Sequence, residues 1–99
     1  MRSSALVLIV LLTSLHGAIV GAAERAPTAL ANACAACHGT DGRSQGAIPT
    51  IAGMPASEFV AKMNAFGSSP EEATIMDRIA RGLSLAEIDG LASYFARLR

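Results

Sequence analysis

Apolar and polar positions along the chain alternate with helical, never strand-like, spacing. The clearest case lies at the C-terminal end, where Leu85, Ile88, Leu91, Ala92, Phe95 and Leu98 recur every three to four residues and predict one apolar helix face turned to the core. Ser84 and Glu87 form the S-x-x-E pattern of a capping box at the beginning of this stripe and fix its start. Glu87 and Asp89 toward the beginning and Arg97 and Arg99 toward the end complement the helix dipole, and read as mostly solvated surface charge. A second stripe of Phe59, Val60, Met63 and Phe66 predicts a helix from about Pro55 to Phe66, closed by Gly67. Pro27 and Thr28 open an earlier helix running from Thr28 to about Ala36. After it, Gly39, Gly42 and Gly46 predict an irregular loop that continues through Pro49, Ile51 and Gly53. A short helical turn is expected from Glu71 to Ile79, ending at Gly82, with Glu71 and Glu72 as its acidic first turn.

The front of the chain follows a different pattern. Ala5 to Leu12 is an unbroken apolar run preceded by Arg2 and followed by small residues up to Ala23. The run is too short to cross about 30 Å of hydrocarbon as a helix, and its basic, apolar and small-residue regions come in the order of a secretory signal. Residues 1–23 are therefore expected to be a signal peptide cleaved after Ala23, with cleavage after Ala22 as the near alternative. If it is not processed, the segment would serve as an N-terminal membrane anchor. The expected mature domain is residues 24–99, in the periplasm and without a membrane span.

With 52% apolar residues and equal numbers of acidic and basic side chains, eight of each, the chain has no charge excess. Nucleic-acid binding driven by a basic surface is excluded. A single domain this small rarely builds a sufficient core from side chains alone, so something must staple it. A disulfide between its only cysteines, Cys34 and Cys37, would close too small a loop to help much.

Cys34-Ala35-Ala36-Cys37-His38 supplies the staple, because C-x-x-C-H is the pattern of covalent c-type haem attachment. Thiols three residues apart on a helix share one face and can add to the two vinyl groups of one porphyrin, while the adjoining His38 is carried beneath the iron. A thioredoxin-type dithiol would follow a strand in a βαβ unit, whereas Thr28 to Ala36 is Ala-rich and strand-poor. Zinc would need further ligands, yet the mature chain has no other Cys or His, since His16 leaves with the leader.

A single mature histidine also excludes bis-histidine ligation within one chain. The sixth position is left to methionine, lysine, the N-terminal amine, water or nothing. Met63 belongs to an apolar helix stripe and reads as core. Met54, between Gly53 and Pro55, reads as a turn or rim residue. Met76, in Thr74-Ile75-Met76-Asp77-Arg78, lies at a sequence distance that suits the opposite face of the ring and is the candidate ligand. Tyr94 and Phe95 read as packing rather than electron relays, and Asp41, Arg43 and Arg78 as surface charges that could meet a haem propionate or a partner.

Across the mature chain these residues resemble class I cytochrome c. The resemblance implies an all-α fold in which helices pack around one covalently attached haem, with Cys34 and Cys37 as thioether anchors, His38 as proximal ligand and Met76 as distal ligand. It also implies that the backbone carbonyl of Pro49 accepts the remaining ring N–H of His38. The stretch Ala73 to Ser84, followed by Ala92-Ser93-Tyr94-Phe95, is similar to the cytochrome subunits of flavocytochrome c sulfide dehydrogenases, here in a monohaem version. That likeness implies electron acceptance from a flavoprotein partner, with FAD and the sulfide chemistry on the partner rather than on this chain. The alternative is a freely diffusing periplasmic electron carrier. A single lysine, Lys62, and the near-neutral charge weigh against a shuttle steered by one strongly charged face.

Overall fold

The computed structural model describes residues 23–68 and 74–99, and among them all regular structure is helical. The order is α1 (Pro27–His38), a short 3-10 turn (Thr40–Gly42), α2 (Ala56–Ser68), α3 (Ile75–Arg81) and α4 (Leu85–Ala96). The expected signal peptide lies outside the described residues except for Ala23, as do Glu71 and Glu72.

Helix α4 organises the rest. It packs against α1 on one side and α2 on the other, and α3 packs on α2. Phe95, only 1% exposed, stacks on Phe59 of α2 with ring centroids 5.8 Å apart and meets the Tyr94 ring edge-on at 5.3 Å. Around it lie Leu30 and Ala31 of α1, Met63 of α2, and Ile88, Leu91 and Ala92 of α4. These aromatic contacts bear out the packing role expected for Tyr94 and Phe95.

The loop between α1 and α2 is sewn to this core through the backbone. The Gly42 carbonyl accepts from Ile51 N at 2.8 Å and Ala52 N at 3.2 Å, while Gly53 N donates to the Phe95 carbonyl at 2.8 Å. Gly42 has φ +76°, and a Cβ there would lie 2.8 Å from both Ile51 Cγ1 and Phe95 Cε1, so the turn can reach the core only without a side chain. At the far end, the Arg43 guanidinium donates to the Arg99 carbonyl at 2.6 Å and lies 3.6 Å from the Asp41 carboxylate.

Several boundaries differ from expectation for local reasons. Helix α1 runs on through Cys37 and His38 until Gly39, and α2 passes through Gly67 to Ser68, whose hydroxyl donates to the Asn64 carbonyl at 2.8 Å and satisfies its last turn. Helix α3 starts later than the acidic pair suggested, because Thr74 is its N-cap.

Leu85, counted in the apolar stripe of α4, is 74% exposed: as the first helical residue it sits at the end of the bundle, beyond the reach of the facing helices. Glu87 is corrected in the opposite sense. Rather than joining a solvated face, it is 6% exposed.

The capping box is present as expected, with Glu87 N donating to Ser84 Oγ and Ser84 N to Glu87 Oε2, each at 3.1 Å. The same carboxylate also receives the backbone N–H of Arg25 at 3.0 Å and its guanidinium at 2.8 Å through both Nε and Nη2. Arg25 Nη2 reaches on to the Gly82 carbonyl at 2.9 Å, and the Ser84 hydroxyl donates to the Glu24 carboxylate. This cluster latches the segment entering α1 to the turn between α3 and α4. Hydrogen bonds from Arg25 hold the Glu87 carboxyl down to about 2, well below its ordinary value.

Candidate functional site

Cys34, Cys37 and His38 occupy the last two turns of α1, where Ala-rich sequence sustains the helix and Gly39 ends it. Cys34 is half-buried against the core, Cys37 is exposed, and the two are not joined in a disulfide. Burial pushes the Cys34 thiol up from its ordinary pKa, the reverse of the activated thiolate on which dithiol redox exchange depends.

The chain reverses sharply after His38. Gly39 has φ +87° and ψ 167°, a region open essentially to glycine, and a Cβ there would fall 2.1 Å from the Arg43 carbonyl oxygen. The reversal brings the 40–50 loop back past the histidine. His38 Nδ1 lies 2.6 Å from the Pro49 carbonyl oxygen, in the contact that the resemblance implied. A carbonyl only accepts, so Nδ1 carries the proton and donates it, leaving the lone pair of Nε2 for a metal.

The three methionines separate by burial. Met63 is 5% exposed inside the core, in keeping with its expected packing role. Met54 is half-buried at the loop rim, with its N–H on the Ile51 carbonyl at 3.3 Å. Met76 is half-buried in the first turn of α3, and its N–H donates to the Thr74 hydroxyl at 3.2 Å. The histidine and this methionine are thus carried by different helix pairs, α1 on α4 and α3 on α2. Two cysteines one helical turn apart and an imidazole with Nδ1 already engaged are the donors covalent haem c takes, and Met76 presents a thioether at the core margin on a separate helix. Asp41, Arg43 and Arg78 are exposed, as surface charges were expected to be.

The family model for cytochrome c matches residues 23–99. The chain belongs to the cytochrome c family. It carries one covalently attached haem c, and its class I fold is the all-α one described above.

Among curated relatives, the cytochrome subunit of sulfide dehydrogenase from Chlorobaculum tepidum is 38% identical over 69 residues, which is 70% of this chain and 63% of that protein. The thiosulfate dehydrogenase electron acceptor of Thiomonas intermedia is 31% identical over 71 residues, covering 70% of this chain and 33% of the relative. Cytochrome c-554(547) of Halothiobacillus neapolitanus is 31% identical over 77 residues, 67% of this chain and 85% of the relative. The match therefore spans less than two thirds of the first two proteins and most of the third.

Sequence reasoning missed two polar arrangements in this cytochrome. The Arg25–Glu87 latch joins residues 62 apart and left no local signal. The Thr74 cap did leave one, a threonine just ahead of an apolar pair, but the preceding acidic pair drew the expected helix start too early.

Proposed function

We propose that this cytochrome is a periplasmic electron-transfer protein that accepts electrons from a flavoprotein oxidising sulfide. In this reading Cys34 and Cys37 would hold the haem through thioethers, and His38 Nε2 and the Met76 thioether would be its iron ligands. The observation that carries it is the His38–Pro49 contact, which orients the imidazole and fixes its tautomer as a ligand requires. Haem, when bound, exchanges single electrons without taking up or releasing atoms.

The chain's own residues restrict it to that role. With both His38 and Met76 given to the iron, the protein would offer no open position for substrate, and bond-making chemistry would fall to the partner. A thioether is a soft ligand that favours the reduced iron and raises the potential relative to a second imidazole. No helix among the described residues is long and apolar enough to cross a membrane, and the leader expected at residues 1–23 is what supports export.

The partner assignment draws on the named role of the Chlorobaculum relative. A freely diffusing carrier is the second reading, favoured by the coverage of most of cytochrome c-554(547) by this chain. Purification of the protein from its native source, with a visible spectrum and flavin analysis of the same fractions, separates the two. A c-type haemochrome, the weak long-wavelength ferric band of methionine ligation and a co-eluting flavoprotein are the expected result. The same haem signals from a flavin-free monomer would replace the subunit reading with the carrier. Absence of covalent haem would overturn the roles given to Cys34, Cys37 and His38.

A further inference from the structure

Helix α3 is short, Ile75–Arg81, and packs on α2 with Asp77 and Ala80 buried and Met76 half-buried, while Ile75 at its start is exposed. A helix of this length gains little from propagation, so its exposed first turn relies on the hydrogen bonds at its start as well as on packing against α2. Thr74 supplies them. Its backbone is extended, at φ −110° and ψ 172°, and its hydroxyl accepts the Met76 N–H at 3.2 Å while its carbonyl accepts the Asp77 N–H at 3.3 Å. The Asp77 carboxylate completes the turn, accepting from Arg78 N at 2.7 Å and the Arg81 guanidinium at 2.9 Å. The Thr74 hydroxyl thus bonds the very N–H of Met76, at the backbone origin of its side chain.

We propose that Thr74 is a positioning residue for the Met76 thioether, its hydroxyl holding the first turn of α3 in the arrangement from which the sulfur would bind the haem iron. The inference rests on the reading of Met76 as axial ligand. Ferric iron holds a thioether weakly against nitrogen donors, so an added ligand such as imidazole binds through the fraction of molecules whose methionine has detached. Its apparent affinity scales with that fraction. Removing the cap destabilises the attached arrangement and leaves the detached one untouched, so imidazole should bind more tightly by the factor the cap contributes.

The test is imidazole titration of the ferric, haem-loaded full chain, followed in the visible spectrum. Thr74→Val and Thr74→Ala, which both remove the hydroxyl, should bind imidazole about 2- to 30-fold more tightly than wild type, the range spanned by N-cap deletions. Thr74→Ser keeps the cap and should restore wild-type affinity. Ser84→Ala removes the equivalent cap from α4, and should lower thermal stability without tightening imidazole. Wild-type affinity in both hydroxyl-free variants overturns the proposal, and so does equal tightening in Ser84→Ala, which would reduce the effect to general loosening. Met76→Leu separates the two levels. Survival of the long-wavelength ferric band in that variant overturns the ligand reading itself, whereas its loss, alongside unchanged imidazole binding at Thr74, overturns positioning alone.

Discussion

Replacing Gly42 with alanine tests how closely the loop after the haem motif is fitted to the core. The backbone at φ +76° admits an L side chain only at a cost of about 1–2 kcal/mol. The new methyl would stand 2.8 Å from Ile51 Cγ1 and from Phe95 Cε1, and 3.1 Å from Ala52 N, where carbon atoms ordinarily rest about 3.5–4.0 Å apart. Ile51 and Phe95 are both buried and cannot swing aside, so the overlap adds a further overpacking cost of about 1–3 kcal/mol. The sum is about 2–5 kcal/mol, or a melting temperature lower by about 10–30 °C in a domain of this size. Gly46 lies in the same loop but has no atom within 4 Å of an added Cβ, so Gly46→Ala should stay within about 0.5 kcal/mol of wild type. Urea unfolding of the haem-loaded proteins, followed by far-ultraviolet circular dichroism and by haem absorbance, gives both values provided the two transitions coincide. If Gly42→Ala unfolds within about 0.5 kcal/mol of Gly46→Ala, the close approach of the loop to Phe95 is wrong.

Other consequences can be measured on the same material. Ser84→Ala should cost about 0.5–2 kcal/mol in urea unfolding, because it removes the cap on the helix that organises the core. Glu87 has a folded pKa of about 2 against an ordinary 4.5, so its contribution is complete above about pH 4.5 and is lost as pH falls through about 2. Glu87→Gln should accordingly melt below wild type at neutral pH, with the gap closing across that acid range; a pH-independent gap would rule out the charged Arg25–Glu87 latch as its source. Met76→Leu should abolish the long-wavelength ferric band and lower the reduction potential measured by redox titration. Mass spectrometry of the exported protein should find Glu24 at the N-terminus, or Ala23 if cleavage follows Ala22, and an intact leader would favour the anchor instead.

Local chemistry by itself determined a good part of this protein. The Cys34–Cys37–His38 spacing needs only one helical turn to bring its groups to one porphyrin, and the Ser84–Glu87 box closes within a single turn, so both are legible without a fold. The periodic burial of Met63, Ile88, Leu91 and Phe95 is likewise local, since a helix presents such positions on one face wherever it packs. Tertiary structure decided what depends on neighbours far away in the chain. Leu85 belongs to the same stripe, yet as the first residue of α4 it is exposed, because local periodicity does not tell how far along a helix the facing surfaces reach. Glu87 looks like one more surface acid until Arg25, brought from 62 residues away, takes up its carboxylate. Gly42 reads as one of three loop glycines, and its positive φ together with the approach of Ile51 and Phe95 makes it hard to replace. The difference is one of range: bonding geometry and helical periodicity act over a few residues and are written along the chain, whereas burial and ion pairing depend on which distant surfaces meet.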